Sequence, residues 1–199
     1  MNPFLVLEGV DAAGKTTVGN RLAQIMPARY FKTPGDEFAS MREYIDDHAP
    51  PPSKLLFYLS SVVDVSARIG SALENSPAIC DRYIWSTLVP HAAYHGENLE
   101  ELECIWRPLV KNLVQPDHVI LLQVSEEEQL RRLHLAERIN GKQSASDRFC
   151  LNTETRRRVR GLYDSVAERE GWLKIDTTHK SVEEVIEEIN SRFSLGVLA

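Results

Sequence analysis

Short, uninterrupted apolar runs alternate along the chain with longer segments whose apolar residues recur every three or four positions. Runs of the first kind are typical of buried strands, and periodic segments of the second kind are typical of helices. The pattern predicts five strands, at Phe4–Leu7, Ala28–Lys32, Ala78–Asp81, His118–Val124 and Trp172–Asp176. It predicts helices at Lys15–Ile25, in a segment ending at Ile45, at Leu55–Leu73, Leu99–Leu113, Ser125–Ile139 and Asn152–Glu168, and from Ser181 onward. We therefore expect an α/β fold: a parallel five-stranded sheet with helices on both faces.

Proline and glycine mark the connections between these elements. His48–Ser53 contains three consecutive prolines and is predicted to be a loop, because proline cannot continue a helix. The chain has 199 residues, which favours a single domain, with a polar stretch at about 138–150 inserted between two helices.

The segment Gly9–Thr17 ("GVDAAGKTT") matches the pattern G-x-x-x-x-G-K-[ST]. It follows a predicted strand and precedes a predicted helix, which favours a phosphate-binding loop over an ordinary glycine turn. The curled backbone and the helix N-terminus would bind phosphate oxygens. Lys15 would reach the outer phosphates of a nucleotide, and the Thr16 hydroxyl would bind Mg²⁺.

A second polar pair, Asp81 and Arg82, follows the third predicted strand. Ligands of such folds bind beyond the carboxyl ends of the strands, so this pair should lie near the phosphate loop. There an aspartate would serve the metal and an arginine would bind the transferring phosphoryl group. Taken alone, an Asp-Arg pair is more often an exposed ion pair; the phosphate loop changes that interpretation.

Composition narrows the class of protein. The net charge is −6, which argues against a general nucleic-acid binder. Three separated cysteines fit no disulfide framework and favour a cytoplasmic protein. We expect no signal peptide and no membrane-spanning run.

Several segments together resemble the thymidylate kinase family of P-loop nucleoside monophosphate kinases, which have the P-loop NTPase fold. They are "FLVLEGVDAAGKTT", "LLFYLSS", "AICDRYIWSTL", "QPDHVILLQVSEEEQLRRL" and "IDTTHKSVEEVIEEI", and they extend over nearly the whole chain. The resemblance implies ATP-dependent phosphorylation of a nucleoside monophosphate, by default dTMP to dTDP, with Mg²⁺ as cofactor. It also implies a lid at about 138–150, and members of the family often form homodimers.

The resemblance also implies roles for individual residues. The catalytic set would be Asp11, Lys15, Asp81 and Arg82, with Thr16 and Asp81 serving the metal. ATP would be bound by the loop and by two arginines near the lid: Gly9, Ala12, Ala13, Gly14, Lys15, Thr16, Thr17, Arg132 and Arg138. The acceptor would be bound by Asp11, Arg42, Phe57, Ser61, Arg82, Ser86 and Thr87, with Phe57 stacking on the base.

The sequence departs from the family mainly on the acceptor side. Ser60-Ser61 replaces an Asp-Arg pair whose arginine reads the base, and Pro90 occupies the place of a tyrosine near the sugar. The acceptor could therefore be another pyrimidine nucleotide, a ribonucleotide or an unusual nucleotide. A P-loop kinase for another small molecule and a non-catalytic nucleotide-binding regulatory protein are the alternatives.

Two other features have ordinary explanations. The basic run Arg156–Arg160 ("RRRVR") has acidic neighbours, which favours a solvated helix face over a nucleic-acid site. The helix at 98–113 would serve equally well as a homodimer contact or as part of the core.

Overall fold

The computed structural model describes residues 2–140, 149 and 151–193, without the side chains at 137, 139 and 140. The strands are β1 (Phe4–Glu8), β2 (Arg29–Lys32), β3 (Ala78–Asp81), β4 (His118–Gln123) and β5 (Leu173–Asp176). The helices are α1 (Lys15–Ile25), α2 (Ala39–His48), α3 (Pro51–Leu73), α4 (Trp85–His95), α5 (Leu99–Val110), α6 (Glu126–Asn140), α7 (Thr153–Glu170) and α8 (Val182–Phe193). Residues 141–148 and 150 of the predicted lid lie outside the described residues.

The five strands form one parallel sheet in the order β2-β3-β1-β4-β5. Leu7 of β1 lies opposite Asp81 of β3 on one side and Ile120 of β4 on the other. This register places the carboxyl ends of the three central strands at one edge, where the phosphate loop begins. The predicted five-stranded parallel sheet flanked by helices is confirmed.

Both faces of the sheet are buried, which explains the lack of polar alternation in the central strands. Leu5 and Leu7 of β1 pack in one core with α1, α7 and α8. Phe4 and Val6 point to the opposite face and pack in a second core with α3, α4 and α5. Successive strand residues alternate between faces, so a strand buried on both faces is mostly apolar along its length.

One helix was not predicted, and one predicted loop is wrong. Helix α4 contains Pro90, although proline usually ends a helix. The predicted loop His48–Ser53 is helical from Pro51, the first residue of α3. Proline is tolerated in the first turn of a helix, where the missing N–H has no intrahelical acceptor.

Within the described ranges, α3 is the one helix long and apolar enough to cross a membrane by length and composition, with a mean hydropathy of 1.2. Core helices meet the same criteria. Five apolar side chains of α3 are buried in the second core: Leu55, Leu59, Val62, Val65 and Ile69. Packing inside the protein therefore accounts for the apolar character of α3.

Candidate active site

The loop between β1 and α1 has a backbone that favours glycine. Gly9 has a φ of +134°, and a Cβ atom there would lie 2.2 Å from the carbonyl oxygen of Leu122. Gly14 has a φ of +97° and is the N-cap of α1, and Ala12 has a φ of +62°. Left-handed residues curl the loop, and the first turn of α1 adds N–H groups without intrahelical partners. The predicted phosphate loop thus has the backbone form of an anion-binding loop.

The side chain of Lys15 is buried inside this loop. Its Nζ donates hydrogen bonds to the carbonyl oxygens of Gly9, at 2.8 Å, and Val10, at 2.7 Å. Burial, and then the positive charge of Arg82, lower the pKa of Lys15 to about 8. An ammonium group that is desolvated and bound only by neutral oxygens gains stability from a nearby anion, so Lys15 is well placed to bind phosphate.

A cavity of about 440 Å³ lies beside the loop, and we call it the donor cavity. Its lining includes seven residues predicted to bind ATP: Ala12, Ala13, Gly14, Lys15, Thr16, Thr17 and Arg132. Sequence reasoning missed Thr177, Lys180 and Ser181, which line the same cavity from the connection between β5 and α8. The rule that ligands bind beyond the strand ends could have found them, since β5 was predicted to end at Asp176.

Arg132 is fixed in the wall of the donor cavity by several hydrogen bonds. Its guanidinium donates to the carbonyl oxygens of Ala12, at 3.1 Å, and Thr177, at 2.8 Å, and to Glu128 at 2.7 Å. The structure therefore places Arg132 against both the phosphate loop and the β5–α8 connection. Arg138 is exposed and is not among the described residues that line this cavity, so its contact with ATP stays a prediction.

Asp81 lies at the carboxyl end of β3 and is fully buried. Its Oδ2 accepts hydrogen bonds from the Thr16 hydroxyl, at 2.5 Å, and from the Tyr30 hydroxyl, at 3.0 Å. Its Oδ1 is buried without a hydrogen-bond partner among the described residues. A buried carboxylate oxygen without a partner is costly, and a bound cation would remove that cost.

Arg82 follows directly and has a left-handed backbone, with a φ of +73°. Its backbone N–H donates to the carbonyl oxygen of Leu7 at 3.0 Å, which ties it to the end of β1. Its guanidinium donates a short hydrogen bond to the carboxylate of Asp11. The predicted residues Asp11 and Arg82 are therefore brought together as an ion pair at the mouth of the phosphate loop.

Glu8 is a functional candidate that sequence reasoning missed. It is fully buried and accepts hydrogen bonds from the backbone N–H of Tyr83, at 3.0 Å, and from the hydroxyl of Ser86. Burial raises the pKa of Glu8, although these hydrogen bonds and the charge of Arg82 oppose that change. Glu8 thereby holds the backbone immediately after Arg82. The apolar residues before Glu8 predict a strand, but they do not show which residues Glu8 contacts. Those contacts, with Tyr83 and Ser86, arise only when β1 and β3 pair in the sheet.

A second cavity, of about 520 Å³, lies on the other side of Arg82, and we call it the acceptor cavity. Of the predicted acceptor residues, its lining includes Asp11, Arg42, Arg82, Ser86 and Thr87. The donor and acceptor cavities share four lining residues: Ala12, Thr16, Arg82 and Ala136. A group bound in one cavity could therefore meet a group bound in the other at Arg82.

Two predicted acceptor residues lie elsewhere. Phe57 packs edge-to-face against Phe38, at 5.4 Å between ring centroids, and against Tyr58, at 5.3 Å. Ser61 is fully buried, and its hydroxyl accepts a hydrogen bond from the backbone N–H of Gly35 at 3.0 Å. Neither is among the described residues lining the acceptor cavity, whereas Tyr58 is. Their contacts with the acceptor base stay predictions.

The outer wall of the acceptor cavity is organised around Asp46 of α2. The hydroxyl of Tyr58 donates to its carboxylate at 2.5 Å, and Lys54 donates to its backbone carbonyl at 2.7 Å. Arg42 forms an ion pair with the same carboxylate at 3.5 Å. Burial, and then the hydrogen bond to Asp46, raise the pKa of Tyr58 to about 12. This wall therefore presents hydrogen-bond donors and positive charge to the cavity.

The basic run at the start of α7 is only partly solvated. Arg157 and Arg158 are exposed, as expected of a solvated helix face. Arg156 is buried and forms an ion pair with Glu126 at 3.1 Å. The guanidinium of Arg160 donates hydrogen bonds to the carbonyl oxygen of Val124 and to the side chain of Gln129. The interpretation as a solvated face is therefore wrong for two of the four arginines, which lie on the inward side of the helix.

A cavity larger than the donor and acceptor cavities lies elsewhere, with a volume of about 620 Å³. All three tryptophans, Trp85, Trp106 and Trp172, line it, and no residue of the phosphate loop does. Volume alone would select this cavity, but the loop geometry and the Asp81–Arg82 pair locate the chemistry at the two smaller ones.

Comparison with known proteins identifies the family of this chain. The thymidylate kinase family profile matches residues 7–189. Similar relatives include the probable thymidylate kinase of Methanocaldococcus jannaschii, which is 30% identical over 94% of both chains. The probable thymidylate kinase of Thermococcus gammatolerans is 31% identical over 95% of this chain and 94% of its own.

Two solved structures share the fold. The thymidylate kinase of Candida albicans has a TM-score of 0.72 and 19% identity, over 98% of this chain and 93% of its own. The thymidylate kinase of Ehrlichia chaffeensis has a TM-score of 0.71 and 20% identity, over 97% of this chain and 98% of its own. The P-loop NTPase fold expected from the sequence is thus confirmed, and the match over residues 7–189 shows that the chain belongs to the thymidylate kinase family.

Proposed function

We propose that this phosphotransferase of the nucleoside monophosphate kinase class moves the γ-phosphoryl group of ATP to the phosphate of dTMP, forming dTDP and ADP. The observation that carries the proposal is the pair of cavities that meet at Arg82 and Thr16. The acceptor phosphate is already an anion, so no residue needs to act as a strong base. The demand on the protein is positioning and charge neutralisation.

The residues around Arg82 can meet this demand. Lys15 and the N–H groups of the loop would bind the β- and γ-phosphates, which replace the carbonyl oxygens as partners of the ammonium. Arg82 would exchange part of its contact with Asp11 for the phosphoryl group between the two substrates. Asp11 would keep the guanidinium oriented while that exchange takes place.

We infer that Mg²⁺ accompanies ATP and that Thr16 and Asp81 serve it. A hydroxyl and a carboxylate are the oxygen ligands that Mg²⁺ prefers, and the partnerless Oδ1 of Asp81 supports a cation there. Bound Mg²⁺ would neutralise charge on the β- and γ-phosphates.

A coupled assay of ADP release across the common mono- and deoxymononucleotides tests the proposed reaction. We expect the highest kcat/KM with dTMP. Arg82→Ala should lower kcat about 10²-fold, because it removes charge stabilisation of the transferring group. Arg68→Ala is the matched control, since Arg68 is exposed and pairs with Glu37 outside both cavities. ATP binding without acceptor-dependent ADP release would instead identify a regulatory protein.

A second candidate acceptor is another pyrimidine nucleoside monophosphate. The observation that favours it is the buried Ser61, which bonds to Gly35. By the sequence resemblance, Ser61 stands where the family has a base-reading arginine. Loss of a hydrogen bond around which a site was built can change discrimination about 10⁴-fold. A kcat/KM for dCMP, dUMP or UMP above that for dTMP would select this candidate.

We also infer a cytoplasmic enzyme that binds neither nucleic acid nor membrane, an inference supported by the acidic net charge. A homodimer through α5 is supported by the exposure of Ile105 and Leu109 on that helix. Sedimentation velocity of the wild-type chain and of Ile105→Asp would test the dimer. A monomeric wild-type protein would refute it.

A further inference from the structure

Every carbonyl group from Gly9 to Ala13 accepts a hydrogen bond from a side chain. Lys15 donates to the first two, and one side chain from another part of the chain donates to each of the next three. Those donors are Gln129 to Asp11, at 2.9 Å, Arg132 to Ala12, at 3.1 Å, and Thr177 to Ala13, at 3.0 Å. These side chains therefore fix the carbonyl groups, and with them the backbone, of the loop that would bind phosphate.

Gln129 differs from the other donors because it is bound at both ends. It is fully buried, and its Oε1 accepts a hydrogen bond from the guanidinium of Arg160 at 2.5 Å. The same guanidinium donates to the carbonyl oxygen of Val124, at the end of β4, at 2.5 Å. A continuous series of contacts therefore runs from α7, through Gln129 of α6, to the backbone of Asp11.

The amide of Gln129 satisfies both of its neighbours. Arg160 can only donate hydrogen bonds, and the carbonyl group of Asp11 can only accept them. The side chain between them must accept at one end and donate at the other, as a carboxamide does. An apolar residue of similar volume would fill the space but make neither of these two hydrogen bonds.

We propose that Gln129 is a positioning residue for phosphoryl transfer, acting through Asp11 on Arg82. Its amide fixes the peptide of Asp11, and that peptide directs the Asp11 carboxylate to the Arg82 guanidinium. The orientation of Arg82 at the junction of the two cavities then depends on Gln129. This inference rests on the proposed function.

Gln129→Glu tests the proposal with almost no change in side-chain volume. An ionised glutamate still accepts from Arg160, but it cannot donate to the carbonyl group of Asp11. We expect kcat to fall about tenfold, the factor that corresponds to losing one hydrogen bond in the transition state. The melting temperature should fall by a few degrees, because two oxygen acceptors then face each other in the interior. Gln115→Glu is the control, because Gln115 also donates to backbone carbonyls but lies in an exposed loop.

A double-mutant cycle with Asp11→Asn separates positioning from ordinary packing. If Gln129 acts through Asp11, Gln129→Glu should lower kcat much less in the Asp11→Asn background than in wild type. Purely additive losses, or an unchanged kcat in Gln129→Glu, would overturn the proposal. Gln129→Met, which neither donates nor accepts there, supplies the same comparison if the glutamate variant does not fold.

The wild-type assay decides the proposed function separately. All ratios in the cycle are measured with whichever mononucleotide the wild-type enzyme phosphorylates fastest. Wild-type protein without turnover would refute the proposed function, whereas an active wild type with an additive cycle would refute only the role of Gln129.

Discussion

Replacing Gly9 by alanine tests whether the phosphate loop requires the backbone described above. The added Cβ would lie 2.2 Å from the carbonyl oxygen of Leu122. The backbone fixes the positions of both atoms, so no side-chain rotation can separate them. The φ of +134° is itself unfavourable for any residue with a Cβ. The change therefore strains β1 and β4 where they are hydrogen-bonded to each other.

The expected loss of stability is the sum of the backbone strain at residue 9 and the steric clash with Leu122. Holding a non-glycine residue in such a conformation costs about 1–3 kcal/mol. Forcing extra volume into a packed interior costs about 1–3 kcal/mol more. A loss of about 4 kcal/mol should lower the Tm of a chain of this length by roughly 8–16 °C. We also expect a higher KM for ATP, because the start of the loop must move.

Gly161→Ala is the matched control for Gly9→Ala. Gly161 lies in α7, and a Cβ there would meet nothing within 4 Å. Alanine favours the helix over glycine by roughly 0.5–1 kcal/mol, so this variant should be slightly more stable than wild type. Thermal unfolding and ATP kinetics of both variants provide the measurement. A Gly9→Ala protein with wild-type Tm and KM would show that the loop does not approach β4 as described.

Two further predictions also use matched pairs of variants. Ser61→Ala leaves the buried backbone N–H of Gly35 unpaired and should lower the free energy of unfolding, measured in urea, by about 1–3 kcal/mol. Ser60→Ala, at an exposed site, should lower it by almost nothing. Equal stability of the two variants would contradict the hydrogen bond from Gly35 to Ser61. Arg132→Lys should raise the KM for ATP about tenfold, because a lysine cannot span Ala12 and Thr177 together. Arg131→Lys should leave that KM unchanged, since Arg131 binds only Glu128 among the contacts described, and an equal effect of both variants would count against the donor cavity.

The fold could be predicted because its signals are local and repeated. Each central strand is buried on both faces and therefore mostly apolar, and each connection between strands is long enough for a helix. Pro90 shows the limit of this reasoning, because a residue that usually ends a helix lies inside α4. There the packing of Leu88 and Ala92 in the core outweighs the local preference.

Buried polar residues were harder to predict than the loop that they support. Glu8 lies in the apolar strand β1, and Gln129 lies on helix α6. Neither residue is part of a sequence motif that would predict its role. Their importance comes from partners distant in sequence: Tyr83 for Glu8, and Asp11 and Arg160 for Gln129. Such pairs become visible only when the register of the strands and the approach of the helices are known.

The same reasoning distinguishes the two cavities. The donor site is centred on one continuous segment, Gly9–Thr17, so its spacing in sequence is also its spacing in space. The acceptor cavity is lined largely by α2, α3 and α4. Phe57 and Tyr58 are neighbours on α3, so the orientation of α3 about its axis decides which of the two faces the cavity. Tyr58 is fixed by Asp46 of α2, a contact that no single segment encodes. Acceptor specificity in this chain should therefore depend on how α2 packs against α3 as well as on the residues that contact the base.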